Sequence, residues 1–147
     1  MIFLLVDDDQ EDTQLFEEIL NEVDPRIGFE AAQNGKVALQ KLRNREAALP
    51  NLIFLDLNMP LMNGKECLAE LKQDPALKNI PVIIYTTSAH SRDIEETLMA
   101  GALCFITKPM GLKDLRCVLS SIASSLPNQL ENGLKHLNDT CGAFVVY

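Results

Sequence analysis

The sequence predicts a doubly wound α/β fold: a five-stranded parallel sheet in the order 2-1-3-4-5, with helices on both faces. Two observations lead there. Strand-like and helix-like segments alternate five times along the chain, which calls for right-handed crossovers and parallel pairing. The runs Ile2-Phe3-Leu4-Leu5-Val6 and Leu52-Ile53-Phe54-Leu55 contain no polar residue, as expected of strands buried on both faces. Each run ends directly in acid, the first at Asp7-Asp8-Asp9 and the second at Asp56. Open α/β sheets bind ligands beyond the carboxyl ends of their strands at the switch point, here between the first and third strands. An acidic pocket formed by Asp7, Asp8 and Asp56 is expected there.

The remaining elements follow in order. Leu15, Phe16, Ile19, Leu20 and Val23 recur at helical spacing and make a one-sided amphipathic helix that Asp24-Pro25 stops. Residues 27–32 form a more polar second strand, nearer an edge. Asn34-Gly35 turns into a helix carrying Val37, Ala38, Lys41 and Leu42. After the acidic strand, residues 64–72 form a helix with Cys67, Leu68 and Leu71 inward, closed by Asp74-Pro75. Ile80 to Tyr85 is a fourth strand in which Pro81 fits only at the very start. Ser91 is expected to cap a helix whose first turns hold Asp93, Glu95 and Glu96, and Gly101 ends it. Ala102 to Ile106 is a short fifth strand, and the last long helix runs from about Leu112 to Leu126, before Pro127.

The chain has 147 residues, enough for one domain with a real core. Its formal net charge of −8 argues against nonspecific nucleic-acid binding and suits a protein that holds a divalent cation. No apolar stretch is long enough to span a bilayer, and the first strand starts too early for a signal peptide. Cys67, Cys104, Cys117 and Cys141 form no CxxC pair, and neither His90 nor His136 has a neighbour at metal-ligand spacing. The four cysteines are expected to be reduced thiols acting as small apolar residues, and the protein to be cytoplasmic.

Three neighbouring carboxylates raise one another's pKa unless a cation neutralises them. Oxygen-only ligands select a hard ion, and Mg²⁺ needs only one or two carboxylates because it keeps its waters. Asp9, Glu11 and Asp12 are accounted for by a solvated acidic helix start, whereas Asp7 and Asp56 at two strand exits are not. Thr86 ends the fourth strand with a hydroxyl able to donate to an anionic oxygen, and Lys108 ends the fifth with a mobile ammonium suited to phosphate. Together these residues describe a phosphorylatable carboxylate with Asp56 as nucleophile.

The ordered set Leu5-Val6-Asp7-Asp8-Asp9, Asp56-Leu57-Asn58-Met59-Pro60 with Gly64, Thr86, Gly101-Ala102 and Lys108-Pro109 resembles the receiver domain of two-component response regulators. The resemblance covers residues 1–126 and implies a flavodoxin-like fold. It further implies that Asp56 accepts the phosphoryl group, while Asp7, Asp8, Asp56 and the backbone carbonyl of Asn58 surround Mg²⁺. Thr86 is then the switch hydroxyl, Phe105 the switch aromatic and Lys108 the phosphate-contacting lysine, with a cis Lys108–Pro109 bond. The implied donor is a histidine kinase or a histidine phosphotransfer protein. The implied readout is a downstream protein bound at the face of helix 4, strand 5 and helix 5, with no nucleic acid and no membrane. Such a protein catalyses only its own phosphorylation and dephosphorylation.

Departures from the family pattern are small. Phe105 lacks a tyrosine hydroxyl, so its switching acts through packing. Thr87 stands where alanine is frequent and adds bulk beside the pocket, and Asn58 and Ser88 tune hydrolysis. Three alternatives stay open. A phosphohydrolase with an aspartyl-phosphate intermediate would want an acid where Asn58 stands. A nucleotide or flavin module would want glycines where Asp7-Asp8-Asp9 stands. A receiver-like scaffold that is never phosphorylated is the third.

Residues 127–147 are expected to be an extension without a separate output domain. Leu130, Leu134 and Leu137 make a weak apolar stripe, and residues 143–147 read as a strand. This end either frays, docks on the sheet or helices, or joins a second copy of the chain by adding a strand.

Overall fold

The structure is a computed structural model that describes residues 1–147, the side chain of Asp139 excepted. Strands β1 (Ile2–Val6), β2 (Gly28–Ala32), β3 (Leu52–Leu55), β4 (Val82–Thr86) and β5 (Cys104–Thr107) alternate with helices α1 (Gln10–Val23), α2 (Gly35–Arg43), α3 (Gly64–Gln73), α4 (Ser91–Met99) and α5 (Leu112–Ser125). The first five strands pair in parallel in the expected order 2-1-3-4-5. After them come two short helices, α6 (Leu130–Lys135) and α7 (Leu137–Cys141), and a strand β6 (Val145–Val146). The sheet is thus six-stranded rather than five-stranded, because β6 adds antiparallel to β5. Of the three fates open to the C-terminal end, the structure takes docking on the chain's own sheet.

Period-two alternation divides the core into two layers. Phe3, Leu5, Phe54, Ile83 and Ile106 face α1 and α5, whereas Leu4, Val6, Ile53, Ile84 and Phe105 face the side of α2 and α3. Every residue of β3 and β4 is buried, as the unbroken apolar runs require, while β2 at the sheet edge is mostly half-exposed. Phe16 anchors α1 by edge-on contacts with Phe54 and Tyr85, at ring-centroid distances of 4.9 and 5.6 Å.

Local sequence explains where the elements start and stop. Asp9 caps α1 by accepting the Asp12 N–H, and Asn34 caps α2 by accepting the Val37 N–H. Asn63 and Glu66 form a reciprocal capping box at the start of α3. Pro81 precedes β4, and its carbonyl still accepts the Ile53 N–H. Gly101, just past the α4 cap, takes a φ of +106° that a side chain would resist. Ser91 is not the cap expected of it: it is the first helical residue, after His90. The hydroxyl that serves this turn is Ser88, which donates to Asp93 at 2.9 Å and accepts the His90 N–H at 3.4 Å.

Two further expectations are corrected. Cys117 and Cys141 are disulfide-bonded, while Cys67 and Cys104 are free and buried. The bridge needs α7 laid against α5, a tertiary contact that cysteine spacing does not reveal. The Lys108–Pro109 bond is trans, the form X–Pro bonds prefer by default, and the cis bond falls at Leu126–Pro127. Among the described residues no helix is long and apolar enough to cross a membrane.

Candidate phosphoacceptor site

The parallel register brings the exits of β1 and β3 together. Val6 pairs with Leu55, and the Asp56 N–H donates to the Val6 carbonyl at 2.9 Å. Asp7, Asp8 and Asp56, each one residue or two beyond a strand, therefore share one edge. Each offers an oxygen within 4.8 Å of the others. Asp7 and Asp56 are buried and Asp8 is exposed, so the cluster opens to solvent on the Asp8 side. Asp56 Oδ1 accepts the N–H of Leu57 at 2.8 Å.

The loop after Asp56 is shaped by a close approach. The Gly64 N–H donates to the Leu57 carbonyl at 2.9 Å, and a Cβ on Gly64 would lie 2.1 Å from the Asp56 carbonyl oxygen. Only glycine lets α3 begin this near the acid. Leu61, in the same loop, is a non-glycine residue at φ +66°. Asn58 is exposed beside a cleft of about 460 Å³ that Asp8, Asn63, Lys65 and Asp93 also line.

Lys108 reaches across the edge from the end of β5. Its Nζ donates to Asp7 Oδ2 at 2.7 Å and Asp12 Oδ2 at 2.8 Å, and lies 3.9 Å from Asp56 Oδ2. Burial alone would lower the Lys108 pKa, but its bonds to Asp12 and Asp7 and the charge of Asp56 outweigh that and hold it above the ordinary range. Burial lifts the Asp7 carboxyl to about 6 despite the bond from Lys108. Asp12 is a participant that sequence reading left in the solvated helix start. Its signal is position, in the first turn of α1 just after the Asp9 cap, which keeps it beside the exit of β1.

Thr86 ends β4, fully buried, and its Oγ1 has no hydrogen-bond partner among the described residues. Its carbonyl accepts the Lys108 N–H at 2.7 Å, which ties the ends of β4 and β5 together. Phe105 is also fully buried, on the side of α2 and α3, and pairs with Ile84 two residues before Thr86. Thr87 is exposed. A second group absent from the sequence reading lies at the rim: Lys65 Nζ is held by Asp93 at 2.6 Å and Glu96 at 2.7 Å. Asp93 in turn accepts from Ser88. No local pattern announces this link between α3 and α4, because its members lie 28 residues or more apart except within α4 itself.

A doubly wound sheet with clustered acids at β1 and β3, a hydroxyl at β4 and a lysine at β5 defines a signalling receiver. A family model described as response regulator receiver domain matches residues 3–120, and the chain belongs to that family. Response regulator Rcp1 of Synechocystis sp. is 36% identical over 127 residues, an alignment covering 84% of this chain and 86% of that protein. The probable methanogenesis regulatory protein FilR2 of Methanothrix harundinacea is 31% identical over 128 residues, covering 82% and 80%. Among solved structures, the phosphorylated cyanobacterial phytochrome response regulator RcpA is 34% identical with a TM-score of 0.78, covering 84% of this chain and 91% of its own. The Mn²⁺-bound form of Rcp1 superposes with a TM-score of 0.75 at 36% identity, with the same coverage. The protein is a receiver of two-component signalling. Receiver domains bind Mg²⁺, and the oxygen-only set of Asp7, Asp8 and Asp56 fits a hard divalent ion.

Proposed function

We propose that Asp56 accepts a phosphoryl group from a histidine kinase or histidine phosphotransfer protein, and that the charge so added switches a protein-binding face. The observation that carries this reading is the convergence of Asp7, Asp8 and Lys108 on the buried Asp56 carboxylate. In the step, an Asp56 carboxylate oxygen attacks phosphorus, the P–N bond of the donor phosphohistidine breaks, and the ring nitrogen leaves with the electron pair. Asp7, Asp8, Asp56 and the Asn58 backbone carbonyl would hold Mg²⁺, which when bound neutralises charge on the transferring oxygens.

The protein's own residues do the rest. Lys108 exchanges its bonds to Asp7 and Asp12 for phosphoryl oxygens, because the charge added at Asp56 concentrates there and competes with those two carboxylates. The Thr86 hydroxyl, which lacks a partner among the described residues, donates to the same oxygens. Phe105 repacks into the volume that Thr86 vacates, and the face of α4, β5 and α5 shifts toward its partner-binding state. Residues 1–126 form the receiver in this reading and residues 127–147 an extension. The location is cytoplasmic, where the donor's phosphohistidine resides.

Incubation with a small-molecule phosphodonor and Mg²⁺, followed by intact-mass measurement, is expected to add one phosphoryl group. Asp56→Asn should abolish it. Equal labelling of the substituted chain would show that another residue is the acceptor.

A further inference from the structure

We propose that Cys117 and Cys141 form a thiol–disulfide exchange site, acted on by a dithiol reductant, whose state fastens or frees residues 127–147 over the outer edge of β5. The extension fills that edge with the chain's own backbone. Phe105 pairs with Val146 and Ile106 with Val145, and the Thr107 N–H donates to the Phe144 carbonyl at 3.0 Å. Asn138 clamps the strand from behind: its side chain donates to the Val145 carbonyl and accepts the Val145 N–H, each at 2.7 Å. Leu134, Leu137 and Val145 are buried against the layer that contains α5.

These elements are too short to hold themselves. α7 has five residues and β6 two, well below the length at which an isolated helix or hairpin is stable in water. The covalent tie from α5 to the end of α7 closes a sequence separation of 24 residues and removes most of the freedom the undocked segment would gain. A disulfide in a protein that works with cytoplasmic phosphohistidines is characteristically transient or redox-sensing rather than a permanent staple.

The chemistry is directional. Cys141 is buried, whereas Cys117 is only partly so. A reductant thiolate therefore attacks Cys117 Sγ, and the electron pair passes to Cys141 Sγ, which takes up a proton. The second thiolate of the reductant then attacks its own sulfur in the mixed disulfide, releasing the Cys117 thiol and leaving the reductant as a disulfide, two electrons having moved to the protein. Cys67 and Cys104 stay out of the exchange: both are buried, and burial pushes each thiol up to about 12, so neither supplies a thiolate at neutral pH.

The consequence for signalling rests on the proposed readout through α4, β5 and α5. With the bridge closed, the β5 edge beside Phe105 is occupied. With it open, that edge becomes available to a partner strand. The exchange site does not depend on that readout face, although its reversibility rests on the cytoplasmic location proposed above.

The test uses the full chain. Protein equilibrated with oxidised glutathione is denatured and alkylated, and a second sample is first reduced natively with dithiothreitol. The expected result is two alkylated cysteines in the first and four in the second, with peptide mapping joining Cys117 to Cys141. Amide exchange at Thr107 and Val145 is expected to accelerate about a hundredfold on reduction, the scale of the lost cross-link. Four alkylated cysteines in the oxidised sample overturn the exchange site. A bridge that forms without changing protection at Thr107 overturns the fastening role. Phosphodonor labelling of both samples is read separately: loss of labelling in both defeats the acceptor assignment and leaves the thiol result standing.

Discussion

Lys108 and Asp7, 101 residues apart in the chain, meet in an ion pair of 2.7 Å in which the lysine side chain is 9% exposed and the carboxylate not at all. One ammonium thereby offsets an edge where Asp7, Asp12 and Asp56 all approach it.

Removing the lysine leaves buried acid uncompensated. Lys108→Met is expected to cost about 3 kcal/mol in divalent-free buffer, the scale for breaking a buried pair from one side. Mg²⁺ should recover much of the loss, since a cation bound to the native site stabilises it by mass action. Urea unfolding with and without Mg²⁺ measures both effects.

Asp7 sets a pH dependence. Burial raises its carboxyl to about 6, above the ordinary value of 3.8. A raised acid gives the fold stability that is complete below the unfolded value and is lost as pH rises through the folded one, so its contribution declines between about pH 4 and 6. Carboxyl carbon shifts of Asp7 in metal-free protein should titrate with a midpoint near 6, and Mg²⁺ should move that midpoint down because it favours the ionised form.

Thr86 separates stability from switching. Its hydroxyl is buried without a partner among the described residues, so Thr86→Val should leave the resting protein unharmed or about 1 kcal/mol more stable. The same change should abolish the spectral response of Phe105 to phosphorylation while labelling of Asp56 persists. Thermal unfolding and aromatic NMR shifts before and after phosphodonor address the two halves.

Gly64 is a steric requirement of the loop that follows Asp56. A Cβ 2.1 Å from the Asp56 carbonyl oxygen has backbone, not a flexible side chain, in its way. Gly64→Ala is expected to cost about 3 kcal/mol and to slow phosphoryl acceptance by displacing Asp56, which chemical denaturation and labelling rates would register together.

The parts of this protein legible in its sequence are those written in continuous local pattern. Ile2 to Val6 and Leu52 to Leu55 announced buried strands, and their abrupt ends in acid located the edge where Asp7, Asp8 and Asp56 meet. Thr86 and Lys108 were legible because each ends a strand. What escaped depends on tertiary contact between short or distant segments. The seating of β6 on β5 turns on the packing of Leu134 and Leu137 against the core, and Cys117 meets Cys141 only once α7 lies on α5. The link from Lys65 to Asp93 and Glu96 joins two helices whose relative placement no local signal encodes. Ser88 rather than Ser91 serves the start of α4 because the loop turns one step earlier than the helical pattern implies.

In the proposed reaction Asp56 itself carries the phosphoryl group. Borohydride reduction of the phosphodonor-treated protein converts an aspartyl phosphate to homoserine, and tandem mass spectrometry reads the residue. Homoserine at position 56, dependent on both donor and Mg²⁺, is the predicted result; homoserine at Asp7 or Asp8, or at no residue despite full labelling, would contradict it.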